Sequence, residues 1–270
     1  MWLVLSLIAN ILWSGSDLFS KIGCRHADDR RSHLKMVMAV GTVMGIHALI
    51  ELLLGKAELS LSVFLTYLPV SLLYISSMTL GYLGLRYIEL SVSSPICNSS
   101  GAIVAILAIG KVGWHEVGIP TVLASVLVCV GVIGLGFVEV SEDEERREMR
   151  QKEGRFSYAK NPLALILPIA YCVLDAAGTY ADNRVLEVLD ESSANVAYEL
   201  TFFAAAVVCF IYVVLIRKDR LLPSRELPKL AGAVCETAGQ FAYIFAIADT
   251  SHLMVSAPII SAYCVTSLLW

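Results

Sequence analysis

Carboxylic acids that lie inside apolar stretches are the groups in this sequence most able to do chemistry. Asp17 and Asp175 each lie deep in a hydrophobic run, and Glu236 lies in a third. A charged side chain costs about 2.5–3.5 kcal/mol at the centre of a membrane-inserted helix, so such residues usually face protein or water. A buried carboxyl can hold a proton or bind a substrate amine. The three acids therefore predict a polar site inside an apolar protein.

Polar residues accompany the first acid at helical spacing. Asn10, Ser14 and Asp17 are four and three residues apart, which places them on one face of a helix, and Trp13 adjoins that face. This pattern predicts the lining of a cavity. Asp17 also lies four residues before Lys21, which leaves open an alternative in which Lys21 extends to the membrane surface and Asp17 only neutralises its charge.

The second acid lies in a stretch of the same design. Tyr171, Asp175, Gly178 and Asp182 are spaced by 4, 3 and 4 residues, like the polar positions of the first stretch at an offset of 161. Asp175 has no basic residue three or four positions away on either side. A carboxyl there would hold a proton, pair with another helix, or meet solvent and substrate. Asp175 is the strongest single candidate for a functional ionisable group.

The third acid has polar neighbours but also an alternative role. Glu236 shares a predicted helix face with Gln240 and Tyr243, which favours a place in the same cavity. Its helix is predicted to begin near Lys229, less than two turns away. A salt bridge between Glu236 and Lys229 or Arg225 at the membrane boundary therefore stays open.

Further polar residues in the apolar runs complete the predicted site. Aromatic stripes and small serines also serve helix packing, and that alternative stays open for all of them. A five-residue stretch recurs 163 positions later with four residues in common, and its proline marks a place where helix backbone can open. The remaining cavity candidates are Tyr74, Ser94, Asn98 and Ser261, and the predicted helix-breaking residues are Pro95 and Pro258, which open the fourth and ninth runs.

The elements that must position these residues are predicted to be membrane-spanning helices. The chain has 270 residues, of which 57% are hydrophobic and only 16% charged, with a mean hydropathy of +0.71. Soluble domains are about 45–50% apolar and about 25% charged, so the predicted fold class is an all-α polytopic membrane protein. Runs that can cross about 30 Å of hydrocarbon number nine. They lie at 2–22, 35–54, 62–83, 92–110, 117–138, 162–181, 194–216, 228–248 and 252–270.

A charged stretch divides the predicted helices into two sets. Residues 139–161 are rich in acids and bases and predict a solvated cytoplasmic linker. Residues 1–138 then form a first repeat of five helices, and residues 162–270 form a second repeat with four. Because five is odd, the second repeat enters the membrane upside down, which is typical of secondary transporters. Nine helices of an expected ten are present, and the tenth is predicted beyond Trp270.

The basic residues predict the orientation. Of the 20 Lys and Arg residues, seventeen fall on one side of the predicted membrane and three on the other. The positive-inside rule then places loops 22–35, 84–91, 139–161 and 217–228 in the cytoplasm and the N-terminus outside. The acidic loop 182–193 would face out, and His47 and Glu51 would lie near the outer surface. We expect an integral protein of the cell (plasma) membrane.

Several chemistries lack their sequence patterns. The chain has no G-x-x-x-x-G-K-[ST] phosphate loop, no H-E-x-x-H zinc helix and no G-x-S-x-G nucleophile turn. No cofactor and no metal site is predicted. The basic residues lie in loops beside the membrane, where topology explains them, so nucleic acid is not an expected partner.

Short motifs occur in both halves: Leu85-Arg86-Tyr87-Ile88 leading into Ser94-Pro95, Glu116, Gly131-Val132, the run from Ala242 to Ala248, and the run from Val255 to Ile259. In their order and spacing they resemble the drug/metabolite transporter superfamily, in particular the EamA-type ten-helix permeases. The resemblance covers essentially the whole chain, although each motif is short and degenerate. It implies a central cavity formed by helices one, three, four, six, eight and nine. The chain departs from the family pattern in ending before an acidic position expected after helix nine.

The resemblance and the buried acids together favour a secondary transporter rather than an enzyme. It would move a small metabolite by alternating access, with export as the expected direction. An amino acid or related amphipathic compound is one choice of substrate, and protons and a homodimer are open as partners beside the lipid bilayer. A nucleotide-sugar or lipid-linked-sugar carrier is an alternative, as is a non-transporting scaffold or sensor. An intramembrane aspartyl protease using Asp17 and Asp175 is disfavoured, because the G-x-G-D pattern is missing.

Overall fold

The computed structural model is all-helical over the part of the chain that it describes. That part comprises residues 1–26, 29–88, 90–112 and 165–267, with scattered positions between 119 and 134. The all-α class predicted from hydropathy is thus confirmed for these ranges. The helices are α1 (Trp2–Cys24), α2 (Ser32–Leu53), α3 (Leu61–Gly84), α4 (Leu90–Asn98), α5 (Ser100–Val112), α6 (Ile166–Val185), α7 (Glu191–Phe210, continued by a π-helix at Ile211–Ile216), α8 (Pro223–Ile247), α9 (Leu253–Ser261) and α10 (Tyr263–Ser267).

Most of these helices have the length and composition of membrane spans. Within the described ranges, six are long and apolar enough to cross a bilayer, and Leu253–Ser267 is a shorter apolar stretch. α6 is not among the six, although it has 20 residues. The architecture is therefore compatible with an integral membrane protein. The six are Trp2–Cys24, Ser32–Leu53, Leu61–Gly84, Ser93–Lys111, Glu191–Ile216 and Pro223–Ile247.

Two predicted features lie outside the described residues. The fifth run, 117–138, is described only at scattered positions, and the linker 139–161 is not described at all. The count of nine helices and the division into two repeats of five therefore stay predictions. The eight other runs each correspond to a described helix or pair of helices, with boundaries that differ by a few residues.

The helices pack in pairs that link the first half of the chain to the second. α1 packs along α8, α3 along α6, and α2 along α7, while α5 packs against α9. α1 also contacts α9 and α10, and α6 contacts α4 and α5. The helices of the two halves can be matched in chain order, α1 with α6, α2 with α7 and α3 with α8. The α1–α8 contact then corresponds to the α6–α3 contact, and the α2–α7 contact corresponds to itself.

Glycines allow the close approach of α2 and α7. A methyl group added at Gly41 would lie 2.6 Å from Cβ of Ala206 and 3.0 Å from the carbonyl carbon of Phe202. One turn later, a methyl group at Gly45 would lie 2.5 Å from the ring of Phe203. Small residues four apart are a recurrent means of bringing membrane helices together.

The fourth and ninth runs are each broken in the middle, and the breaks are alike. α4 gives way to α5 at Ser99, and α9 gives way to α10 at Ala262. The amide of Ser99 donates to the carbonyl of Pro95 (3.1 Å), and the amide of Ala262 donates to that of Pro258 (3.0 Å). The carbonyls of Ser99 and Ala262 in turn accept hydrogen bonds from the amides three residues later, at 3.1 and 3.0 Å.

The prolines were expected to open these helices, and that detail is wrong. Pro95 and Pro258 are each the sixth residue of their helix, in α4 and α9. A proline lacks the amide hydrogen and crowds the carbonyl four residues earlier, which weakens a helix without necessarily ending it. The chain actually breaks four residues after each proline.

α6 ends later than the sequence predicted. The run 162–181 was followed by a presumed external loop, but α6 extends to Val185 and places Asp182 inside the protein with no exposed surface. Its carboxylate accepts hydrogen bonds from the hydroxyls of Tyr67 (2.6 Å) and Tyr74 (3.3 Å). These partners on α3 offset the cost of burying the acid, and a hydropathy window contains no information about them.

Candidate functional site

A central cavity of about 70 Å³ lies between the helices, in the half of the bundle where α1 and α3 end and α4 and α6 begin. Its lining combines acids, hydroxyls and aromatic rings from both halves of the chain. None of its described lining residues is Lys or Arg. The candidates that the structure brings together there are Trp13, Asp17, Tyr74, Ser94, Asn98, Tyr171, Asp175, Glu236, Gln240 and Ser261.

The carboxylate of Asp17 is held by α4. Ser94 donates a short hydrogen bond from Oγ to Asp17, and Asn98 donates to both the carbonyl (2.8 Å) and Oγ (3.0 Å) of Ser94. Asn98 lies one turn after Ser94, so the α-helical spacing itself aligns the two donors. Lys21, whose pairing with Asp17 was the alternative, donates to the carbonyls of Leu85 and Ile88 at 2.7 Å.

The carboxylate of Asp175 is held at the break in the fourth run. Oγ of Ser100, the first residue of α5, donates to Asp175 at 2.7 Å. The start of a helix carries a partial positive charge and favours a nearby carboxylate. Asp175 is therefore tied to the same broken span as Asp17, through the opposite side of the break.

The carboxylate of Glu236 is held by α1. Oγ of Ser16 donates to it at 2.8 Å, and Glu236 is 8% exposed. The alternative salt bridge at the membrane boundary is not formed by Lys229, which lies 3.1 Å from Glu226 and 3.5 Å from Asp29. Among the described residues, no group of three or more acids, histidines or cysteines is close enough to hold a metal ion.

Several donors that line the cavity have no hydrogen-bond partner in the described part of the chain. Three of them are Nε2 of Gln240, the hydroxyl of Tyr82 and Oγ of Ser20. All three residues are buried, at 3%, 6% and 1% exposure. Buried donors normally have an acceptor, so these atoms indicate where a ligand or solvent would bind.

Aromatic rings enclose the acids. The lining contains one tryptophan and five tyrosines, and the rings of Trp13 and Tyr263 meet edge to face with centroids 5.9 Å apart. Tyr74 and Tyr198 make a similar contact at 5.7 Å. Aromatic faces attract cations, so the rings and the carboxylates favour the same kind of ligand.

A hydroxyl network closes the other side of the cavity. The hydroxyls of Tyr74 and Tyr243 lie 2.5 Å apart, and each also lies within hydrogen-bond distance of Oγ1 of Thr179, at 3.2 and 3.1 Å. Tyr67, near the start of α3, and Asp182, near the end of α6, extend this network. Tyr243 thus lies in this network, beside a second cavity of about 20 Å³, and not in the lining of the central cavity.

Two predicted cavity residues lie elsewhere. Asn10 anchors the break between α9 and α10, because its amide donates to the carbonyl of Ile259 (2.9 Å) and its Oδ1 accepts from Thr266 (2.8 Å). Ser14 is fully buried and donates to the carbonyl of Ile11 (2.7 Å). Neither lines the described cavity. Helical spacing places Asn10 and Ser14 on one face of α1, but it does not show which helix packs against each part of that face.

Sequence reasoning missed several polar residues of the core. Ser16, Ser100 and Thr179 are small hydroxyls whose role depends on partners in distant helices. Glu199 was also missed, although it has no exposed surface and lies 2.8 Å from Nδ1 of His47. His47 was assigned to the outer surface, and its side chain is 29% exposed. The sequence feature that could have indicated Glu199 is the presence of an acid inside the apolar run 194–216.

The chain was compared with protein-family models and with curated proteins. No protein-family model matches the chain, and no curated protein matches it. The fold and the cavity define the class of the protein: it is all-helical in the described ranges, and its long apolar helices are compatible with a bilayer. The resemblance to EamA-type permeases remains an expectation drawn from short motifs.

Proposed function

We propose that this protein is a secondary transporter for a small metabolite that carries a protonated amine. The observation that carries the proposal is the convergence of Asp17, Asp175 and Glu236 on one cavity whose described lining contains no basic residue. Three acids on three helices, with no lysine or arginine in the described lining to neutralise them, favour a cationic ligand.

The geometry around the acids supports an amine over other ligands. Each carboxylate already accepts one hydrogen bond from a serine, which fixes its orientation and leaves further acceptor capacity for a ligand. The aromatic lining adds cation–π attraction. The unpartnered donor of Gln240 would bind an acceptor on the same molecule, as an amphipathic metabolite such as an amino acid offers.

The packing supports alternating access by two inverted repeats. The contact of α1 with α8 is matched by that of α6 with α3, and the two broken spans share their hydrogen-bond pattern. One side of the cavity is closed by the network of Tyr74, Tyr243 and Asp182. In a transporter of this design, the opposite state would open that network and close the other side. The carboxylates would exchange protons for substrate during this cycle, and export is the direction we propose.

The alternatives receive less support from the same residues. A nucleotide-sugar or lipid-linked-sugar carrier binds phosphate, which an acidic lining repels. A scaffold or sensor needs no cavity lined with unpartnered donors. We therefore retain transport without enzymatic chemistry as the proposal.

Uptake into proteoliposomes tests the proposal. Radiolabelled amino acids and simple monoamines would be supplied to vesicles containing the wild-type protein, Asp175→Asn, or Asp249→Asn as the control, because Asp249 lies in a loop and is 37% exposed. We expect at least one amine to be transported by the wild type and the control, with a large loss in Asp175→Asn. Unchanged uptake and unchanged pH dependence in Asp175→Asn would remove this carboxyl from the mechanism.

A further inference from the structure

A cleft of about 260 Å³ lies at one end of the bundle, apart from the central cavity. It forms where the loop before α2 meets the segment between α7 and α8. The distribution of basic residues assigns this end to the cytoplasm. The lining residues are Asp29, Arg30, Arg31, Lys35, Asp219, Arg220, Leu222 and Arg225.

Basic side chains outnumber acids in this lining. Five of the lining residues are Arg or Lys and two are Asp, which gives an excess of three positive charges. Both acids are already matched: Asp219 accepts hydrogen bonds from two nitrogens of Arg31, and Asp29 lies 2.9 Å from Nζ of Lys35. The cleft therefore has more positive charge than its own carboxylates can balance.

Arg30 and Arg220 carry part of this excess. Both are exposed, and in the described part of the chain neither guanidinium forms an ion pair with a carboxylate. Their backbone carbonyls, in contrast, are engaged, since Arg86 donates to that of Arg30 and Lys35 donates to that of Arg220 at 3.2 Å. Their side chains can thus be changed without removing these contacts.

Two helix starts add to the positive potential. α2 and α8 both begin beside the cleft, and neither has a side chain that caps its first amides. A helix start carries about half a positive charge, which favours a nearby anion. The arginines and the helix starts come from distant parts of the sequence, and they face one space.

We propose that this cleft binds a phosphate group, supplied by an anionic lipid headgroup or by a soluble phosphate. Guanidinium groups bind phosphate oxygens through two nitrogens at once, which suits Arg30 and Arg220. The neighbouring Leu221 and Leu227 are 44% and 69% exposed, so the acyl chains of a lipid would find apolar surface beside the cleft. Basic pockets at the cytoplasmic ends of membrane helices are suited to such headgroups.

Ligand-dependent thermal unfolding tests the proposal, because a ligand of the folded state raises the melting temperature. The purified protein in detergent would be titrated with phosphatidylinositol 4-phosphate in mixed micelles and, separately, with inorganic pyrophosphate. The variants are Arg30→Gln with Arg220→Gln, and Arg220→Gln alone should the pair fail to fold. Arg25→Gln is the control, since Arg25 is exposed at the same end but does not line the cleft.

We expect a saturable rise in melting temperature for the wild type and Arg25→Gln. At about a fivefold loss per basic residue, binding weakens about twenty-five-fold in the double variant and about fivefold in Arg220→Gln. A response to the lipid alone identifies a headgroup site, and a response to pyrophosphate identifies a site for phosphate itself. No response to either ligand, or equal responses in the wild type and the double variant, overturns the proposal.

Discussion

Replacing Gly41 with alanine tests the contact between α2 and α7. The new methyl group would lie 2.6 Å from Cβ of Ala206 and 3.0 Å from the carbonyl carbon of Phe202, and it would meet the carbonyl oxygen of Phe202 closer still. Carbon atoms normally stay about 3.5–4.0 Å apart. Two of these three neighbours belong to backbone, which cannot rotate away as a side chain can, so the helices must separate.

The expected cost combines two opposing effects. Inserting one methyl group into a tight contact costs about 1–3 kcal/mol, whereas alanine favours a helix over glycine by about 0.8–1 kcal/mol. The net loss for Gly41→Ala is then up to about 2 kcal/mol. At about 2–4 °C per kcal/mol for a chain of this size, the melting temperature would fall by up to about 4–8 °C.

Gly110→Ala provides the matched control. A methyl group at Gly110, in α5, would have nothing within 4 Å, so only the gain in helix preference applies and the melting temperature should rise slightly. Both variants would be melted in one detergent, with unfolding followed by a thiol-reactive dye. The buried cysteines, such as Cys24 and Cys264, react only when the protein opens.

The two variants together make the reasoning refutable. If Gly41→Ala melts at or above the wild-type temperature while Gly110→Ala behaves as expected, α2 and α7 do not pack through this glycine. The proposed inverted repeats would then lose the support of the α2–α7 contact, which joins matching helices of the two halves.

Three further predictions concern buried polar groups. Lys229→Met removes a fully buried ammonium that is the closer cation of Glu226 and, beside Lys35, the second cation of Asp29, and we expect denaturant titration to show a loss of about 1–3 kcal/mol. Tyr67→Phe leaves the carboxylate of Asp182 without its closest donor and should cost about 1–3 kcal/mol, with no change in the helical circular dichroism signal. The hydrogen bond from Arg31 lowers the pKa of Asp219 below its usual 3.8, so the ion pair stabilises the protein above that pH and is lost as the pH falls below it. The stability difference between the wild type and Asp219→Asn should therefore be about 1 kcal/mol near neutral pH and shrink in acid, and a difference that is constant with pH would contradict this reasoning.

Hydropathy and helical spacing predicted much of the arrangement because both depend on local sequence. The all-helical class follows from the apolar runs, and Asp17, Asp175 and Glu236 do line one cavity in the structure. Each of these acids lies within a long apolar run, where burial against protein is the alternative to contact with lipid. A common cavity was therefore a reasonable expectation.

What sequence could not predict was the partner of each polar group. Asn10 shares a helical face with Asp17 but binds the break between α9 and α10, because the neighbouring helix on its side differs. Asp182 resembled a loop residue until two tyrosines from α3 were placed against it. The sequence does contain small residues four apart at Gly41 and Gly45, but it does not identify α7 as the helix that meets them.

The burial of Lys229 bears on how the chain assembles as it is synthesised. This residue lies within the first two turns of α8 and has no exposed surface, and one of its counter-ions, Asp29, belongs to the loop between α1 and α2. Its other counter-ion, Glu226, belongs to α8 itself, so the buried ammonium depends on the distant loop for one of its two carboxylates. The ion pair with Asp29 can form only once the loop between α1 and α2 has been made, and synthesis from the N-terminus supplies that loop first. A change at Asp29 would thus affect the packing of a helix that begins about two hundred residues later in the chain.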